Sequence, residues 1–134
     1  MPLITLTALL FLGLQMADKP KVDLPAKPVP VAILCNGDDG ATARLCDQVK
    51  RTFSKSPDFT TQVAHQARIL IVRIPTNVQW KKDGHRAKLN YSVEISIKDG
   101  EVLHSTAGSC WENELNVCAA NIMADTRTAI GFSP

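Results

Sequence analysis

The stretch that most constrains this chain is residues 88–97. There Lys88, Asn90, Ser92, Glu94 and Ser96 alternate with Leu89, Tyr91, Val93, Ile95 and Ile97. A period of two is the spacing of a β-strand, whose successive side chains leave opposite faces of the sheet. One face of this strand is apolar and the other polar, so one face is covered and the other meets water. That excludes a sheet with helices on both sides. The run is bracketed by Lys82-Asp83-Gly84 and Lys98-Asp99-Gly100. Asp-Gly tolerates the positive φ of a type I′ turn, so a hairpin is expected on each side.

The other elements follow from local pattern. Val31-Ala32-Ile33-Leu34-Cys35 is a continuous apolar run, as in a strand buried on both faces. Asn36 to Gly40 is turn chemistry in which Asp38 or Asp39 can cap a helix. From Ala41 to Lys55, Thr42, Leu45, Cys46, Val49 and Phe53 share one helical face, while Arg44, Asp47, Arg51 and Lys55 lie opposite. A short strand is expected over 59–64 and a stronger β-branched one over 69–74, after which Pro75 forces an edge or a bulge. A strand over 101–108 and a helix over 112–130 complete the chain, with Leu115, Cys118, Ala119, Ile122 and Ala129 inward and Gly131 as the stop. The expected order is β-α-β-β-β-β-α. The expected fold class is α/β, as a two-layer α+β protein: a mixed, mostly antiparallel sheet, a three-stranded meander over 69–108, and two helices packed on one face.

Residues 1–17 carry no charged side chain, and the apolar run from Leu3 to Leu14 has the length of a secretory leader core. It is too short to span a bilayer comfortably. Cleavage is expected near Ala17, and no transmembrane span is expected in the mature chain. Residues 18–30 contain Pro20, Pro25, Pro28 and Pro30, which read as an extended, unpaired spacer. The expected organisation is a signal peptide over 1–17, a spacer over 18–30 and a single disulfide-stapled domain over 31–131.

Cys35, Cys46, Cys110 and Cys118 are the four cysteines. An even count behind a leader implies disulfides and a secreted or periplasmic location. Three connectivities exist. The local pairing, Cys35 with Cys46 and Cys110 with Cys118, staples each strand to the helix that follows it. Closures this short are worth roughly 2.5–3 kcal/mol each in the chain-entropy account. The rival is a link between the two helices or the two strand ends. No cysteine pair has close zinc-ligand spacing or forms Cys-x-x-Cys.

Little points to catalysis. His65, His85 and His104 each stand alone in sequence. Asn36, Asp38 and Asp47 fall near calcium-loop positions, but Ala41 occupies the place that needs glycine. There is no Gly-x-Ser-x-Gly, phosphate loop or dinucleotide fingerprint. No catalytic residue, metal or cofactor is assigned. The net charge of +2 and the 5% aromatic content give no nucleic-acid signature. The charge is unevenly spread: Lys81, Lys82, Arg86 and Lys88 against Asp83 give residues 80–88 a charge of +3. Trp80, Lys81, Lys82, His85, Arg86 and Lys88 are therefore the candidate partner-binding residues, at an expected hairpin. Trp111, beside Cys110, is assigned to packing.

A strand, a helix closing on Ser56-Pro57-Asp58-Phe59, a strand meander and a terminal helix resemble a group of cell-envelope domains. The group includes the amino-terminal domain of TolB, the penicillin-binding-protein activator LpoB and the curli secretion protein CsgG. The resemblance spans about residues 30–131, and the paired cysteines depart from it. It implies a periplasmic interaction module and supplies no catalytic residue. The expected function is a non-catalytic secreted or periplasmic module that binds an envelope protein, a polymer or an anionic envelope surface. The alternatives are a small secreted inhibitor of a hydrolase, marked by a protruding ordered loop, and a ligand-binding or hydrolytic domain, marked by a pocket holding His104 with a carboxylate.

Overall fold

A computed structural model describes residues 27–131. The expected leader, and the spacer up to residue 26, lie outside the described residues. The elements are β1 (Val29–Cys35), α1 (Gly40–Lys55), β2 (Phe59–Thr60), β3 (Leu70–Ile74), β4 (Gln79–Asp83), β5 (Arg86–Ile97), β6 (Val102–Trp111), a 3₁₀ turn (Glu112–Glu114) and α2 (Leu115–Ala129). The two-layer class is as expected, with an open, mixed sheet of six strands.

β1 lies between β2 and β3 and is parallel to both. β5 is antiparallel to β3, β4 and β6. Because β6 pairs with β5 along nearly its whole length, β3 and β4 share the opposite edge of β5 end to end. They are two halves of one interrupted strand. Arg73 faces Glu94 and Gln79 faces Asn90, so residues 74–78 oppose only residues 91–93. Two extra residues bulge out at Pro75, which has no N–H to give to a ladder.

Three expectations need correction. The sheet has six strands, because Gln79–Asp83 was not counted as one. β1 starts at Val29, inside the segment assigned to the spacer, and Pro30 is tolerated at the strand's first turn of pairing with the two-residue β2. The hairpin turn falls one residue later than Asp83-Gly84: Asp83 pairs with Arg86, and Gly84, at φ +67°, leads a Gly84-His85 loop. Positive φ at the first loop residue alone is the pattern of type II′ and not of I′.

One core joins the layers. Leu45, Val49 and Phe53 of α1 and Cys118, Ala119 and Ile122 of α2 pack on Val31, Val72, Leu89, Val93 and Ile95. Burial alternates along β5 as the sequence pattern requires, with Ala87, Leu89, Tyr91, Val93 and Ile95 covered. Asp39 caps α1 by accepting a 2.7 Å hydrogen bond from Thr42 N. The Thr42 side-chain hydroxyl first, and this backbone bond second, lower the Asp39 pKa below its usual range. Gly131, at φ +85°, ends α2 in the left-handed region that favours glycine. Both disulfides take the local pairing, Cys35–Cys46 and Cys110–Cys118, and no described cysteine is free.

Two polar clamps hold the layers in register. Asn77, in the bulge, accepts hydrogen bonds at Oδ1 from Asp38 N (2.8 Å), Asp39 N (3.2 Å) and Thr42 Oγ1 (3.3 Å). Its Nδ2 donates to Asp38 Oδ1 at 3.0 Å, and Val78 N donates to the buried Thr42 hydroxyl at 2.9 Å. A Cβ on Gly37 would strike Asn77 Oδ1, so glycine is what admits this approach. At the opposite end, Arg127 of α2 donates to Asp58 Oδ2 through Nε (3.1 Å) and Nη2 (2.8 Å). The Ser56-Pro57-Asp58-Phe59 segment thus serves as the docking point for the terminal helix.

Candidate functional site

The strand pleat sorts the candidate residues onto two faces. On β5, Ala87 and Leu89 turn toward the helices, and Arg86 and Lys88 turn away. Cross-strand partners share a face. Trp80 stands opposite Leu89 and Lys82 opposite Ala87, so these two lie on the helix side. Lys81 stands opposite Lys88, and Asp83 opposite Arg86, on the open face. His85 is exposed in the turn. The six residues therefore do not form one patch.

The open face gains an aromatic residue that sequence reasoning assigned to packing. Trp111, the last residue of β6, is paired with Lys88. The Arg86 guanidinium carbon lies 3.9 Å from the Trp111 ring centroid, and Lys88 Nζ lies 5.7 Å from it. Such contacts contribute about 0.5–1 kcal/mol at exposed sites. The stack holds a long side chain in place. Arg86 also approaches Glu114 Oε1 at 3.9 Å, with both groups half exposed. Lys81 and Lys88 oppose each other as like charges, an arrangement that weakens a strand pair. The parity of Trp111 was the signal available in sequence: it is odd-numbered on a strand whose Cys110 must turn inward to reach Cys118.

Beside this cluster the open face is uncharged and polar. Thr76, Gln79, Asn90, Ser92 and Ser109 line a shallow depression of about 390 Å³. On the helix side, Trp80 is 52% exposed and borders a depression of about 270 Å³ with Leu89, Arg44 and Glu112 at the start of α1. Arg44 and Glu112 close at 3.9 Å across it.

His104 lies on β6 opposite the buried Ile95, on the helix side, and is partly exposed. Among the described residues it has no carboxylate in ion-pair range, and no group of His, Cys, Asp and Glu is arranged to hold a metal. Asn36, Asp38 and Asp47 are not drawn together: Asp38 serves Asn77, and Asp47 is exposed on α1. No described helix is long and apolar enough to cross a membrane.

A sheet with three parallel strands at one side, an antiparallel meander at the other and two helices on one face is a fold found in solved bacterial proteins. PelC of Paraburkholderia phytofirmans, solved as a dodecamer, is similar over 84% of this chain and 94% of its own, at 12% identity and a TM-score of 0.51. Protein XCC0632 of Xanthomonas campestris, of family DUF330, is similar over 79% of this chain and 88% of its own, at 15% identity and a TM-score of 0.50. A minor lipoprotein of Acinetobacter baumannii matches over 75% of this chain and 93% of its own, at 10% identity and a TM-score of 0.46. No family model matches the sequence, and no curated relative does.

Proposed function

We propose that this chain is a non-catalytic module of the bacterial envelope that docks the open face of β4, β5 and β6 onto an anionic envelope surface. The observation that carries the reading is the placement of Lys81, Arg86 and Lys88 together on the open face, with Arg86 and Lys88 held over Trp111. Like charges set directly opposite each other cost stability, and an anionic partner turns that cost into attraction. Two disulfides fit an oxidising compartment. The fold shared with PelC and XCC0632, and the resemblance of residues 30–131 to the envelope group, point the same way. His85 and Lys82 flank the docking face, and Trp80 is excluded from it by its position on the other side of the sheet.

The test is sedimentation of the purified chain with vesicles of anionic or neutral lipid, at low and raised salt. Binding is expected to the anionic vesicles only, and to weaken with salt as the Debye length shortens to about 8 Å at physiological strength. The triple change Lys81→Gln, Arg86→Gln and Lys88→Gln is expected to abolish it. Binding that survives the triple change, or that ignores lipid charge, overturns the reading.

A further inference from the structure

Two open edges of the sheet, β4 and β6, are of opposite character. β4 pairs only with β5, and its five residues include Lys81, Lys82 and Asp83. Charged side chains on a short edge are the usual guard against pairing with another chain. β6 also pairs only with β5, yet its ten residues, Val102 to Trp111, include no Asp, Glu, Lys, Arg or Pro. One register irregularity falls near its start, between Ile95 and Ser96 of β5, and the rest of the ladder from His104 to Trp111 is regular. Most of β6 is exposed or partly exposed, with Val102 at 50% and Leu103 at 36%. The backbone groups along its outer side stand ready for another strand.

The exposed side of the helix above that edge is equally free of charge. α2 lies against β6 and is bound to it by Cys110–Cys118. Its exposed residues are Asn116, Val117, Ala120, Asn121, Ala124 and Thr128. The exposed side of α1, by contrast, carries Arg44, Asp47, Lys50, Arg51 and Lys55. On α2 the two charged side chains are committed elsewhere: Arg127 holds Asp58, and Asp125 is half-buried near enough to Tyr91 to act on its phenol.

We infer that the β6 edge and the exposed side of α2 form a two-fold interface between two copies of this chain, with β6 antiparallel to β6 of the partner. A single extended peptide would satisfy the edge but leave the uncharged helix side bare. A second copy covers both, because it presents the same strand and helix in the same relation, as a two-fold interface requires. An uncharged surface also meets its own copy without like-charge repulsion, which neither α1 nor β4 would do. Residues 18–28 do not fit the edge, since they hold three of the chain's prolines. This interface leaves the basic open face of the sheet uncovered, so it is independent of the proposed docking to anions.

The test uses the purified chain with both disulfides formed. Sedimentation equilibrium from micromolar to submillimolar concentration is expected to show a monomer–dimer equilibrium. Ala107→Lys places a cation near the two-fold axis on an exposed position, and is expected to raise the dimer dissociation constant by about tenfold or more. Lys50→Gln on α1 is expected to leave it unchanged. Hydrogen exchange gives a reading that needs no variant: amides of β6 are expected to slow as concentration rises, while those of β4 do not. A chain that stays monomeric throughout overturns the inference. So does a dimer indifferent to Ala107→Lys, or one whose β6 amides gain no protection.

Discussion

β3 and β4 have the same length, run in the same direction and pair with the same strand, yet one is buried and the other is wet. Leu70, Ile71, Val72 and Ile74 of β3 are all buried, whereas every residue of β4 is exposed. The difference lies in what flanks them. β3 has β1 on its far side and stands in the common core with α1, while β4 extends past the end of β1, which stops opposite Ile74. A buried strand needs apolar side chains on both faces, and Leu-Ile-Val-Arg-Ile supplies nearly that. An edge strand with no cover needs charge, and Gln-Trp-Lys-Lys-Asp supplies it. The bulge at residues 75–78 separates the two regimes, and Asn77 ties it to the start of α1.

The largest effect should come from the buried half. Ile95 is fully buried opposite Val72 of β3, and Ile95→Ala is expected to cost about 2–5 kcal/mol in a denaturant melt. Trp80→Ala, in the exposed half, removes a larger side chain but is expected to cost about 1 kcal/mol or less. Equal costs would mean that the halves are not distinct.

Removing the tie should rank next. Asn77→Ala leaves the Thr42 hydroxyl and the Asp38 and Asp39 amides, just before α1, without their shared acceptor, for a loss of about 1–3 kcal/mol. Gly37→Ala crowds the same atom, so the double variant is expected to lose less than the sum of the two. Additive losses in the melts would place the two residues in separate interactions.

The smallest effect is a pH dependence where the halves meet. Tyr91, the sole tyrosine, lies over Gly108, whose added Cβ would strike the phenol. Burial first, and the Asp125 carboxylate second, push its pKa up. The neutral phenol is therefore favoured in the folded state. The stability it contributes is whole below the ordinary value of about 10 and is lost as pH rises through the folded value. An absorbance titration should show one phenolate forming above that ordinary value, and Asp125→Asn should bring it part of the way down. An unshifted midpoint would show that water reaches the phenol.

Much of the fold was legible in the sequence because its signals are local. The alternation over 88–97 gave β5 its two faces, and the short separations within each cysteine pair favoured the staples that formed. The two helices, the Asp39 cap and the Gly131 stop depend only on residues a few positions apart. β4 was less legible: a strand that reads Gln-Trp-Lys-Lys-Asp, with no buried face, has no hydrophobic period to detect.

The candidate site was legible only in part. A charge of +3 over residues 80–88 is a property of composition, and sequence alone identified it. Which of those charges share a face was decided by the pairing of β4 with β5. That Trp111 and not Trp80 meets Arg86 was decided by the pairing of β5 with β6. The role of Asn77, joined to Asp38 across 39 positions of sequence, was equally hidden. Periodicity determines which way each residue leaves its own strand. Register between strands is set by long-range packing and by turn geometry, and it alone determines what each residue meets.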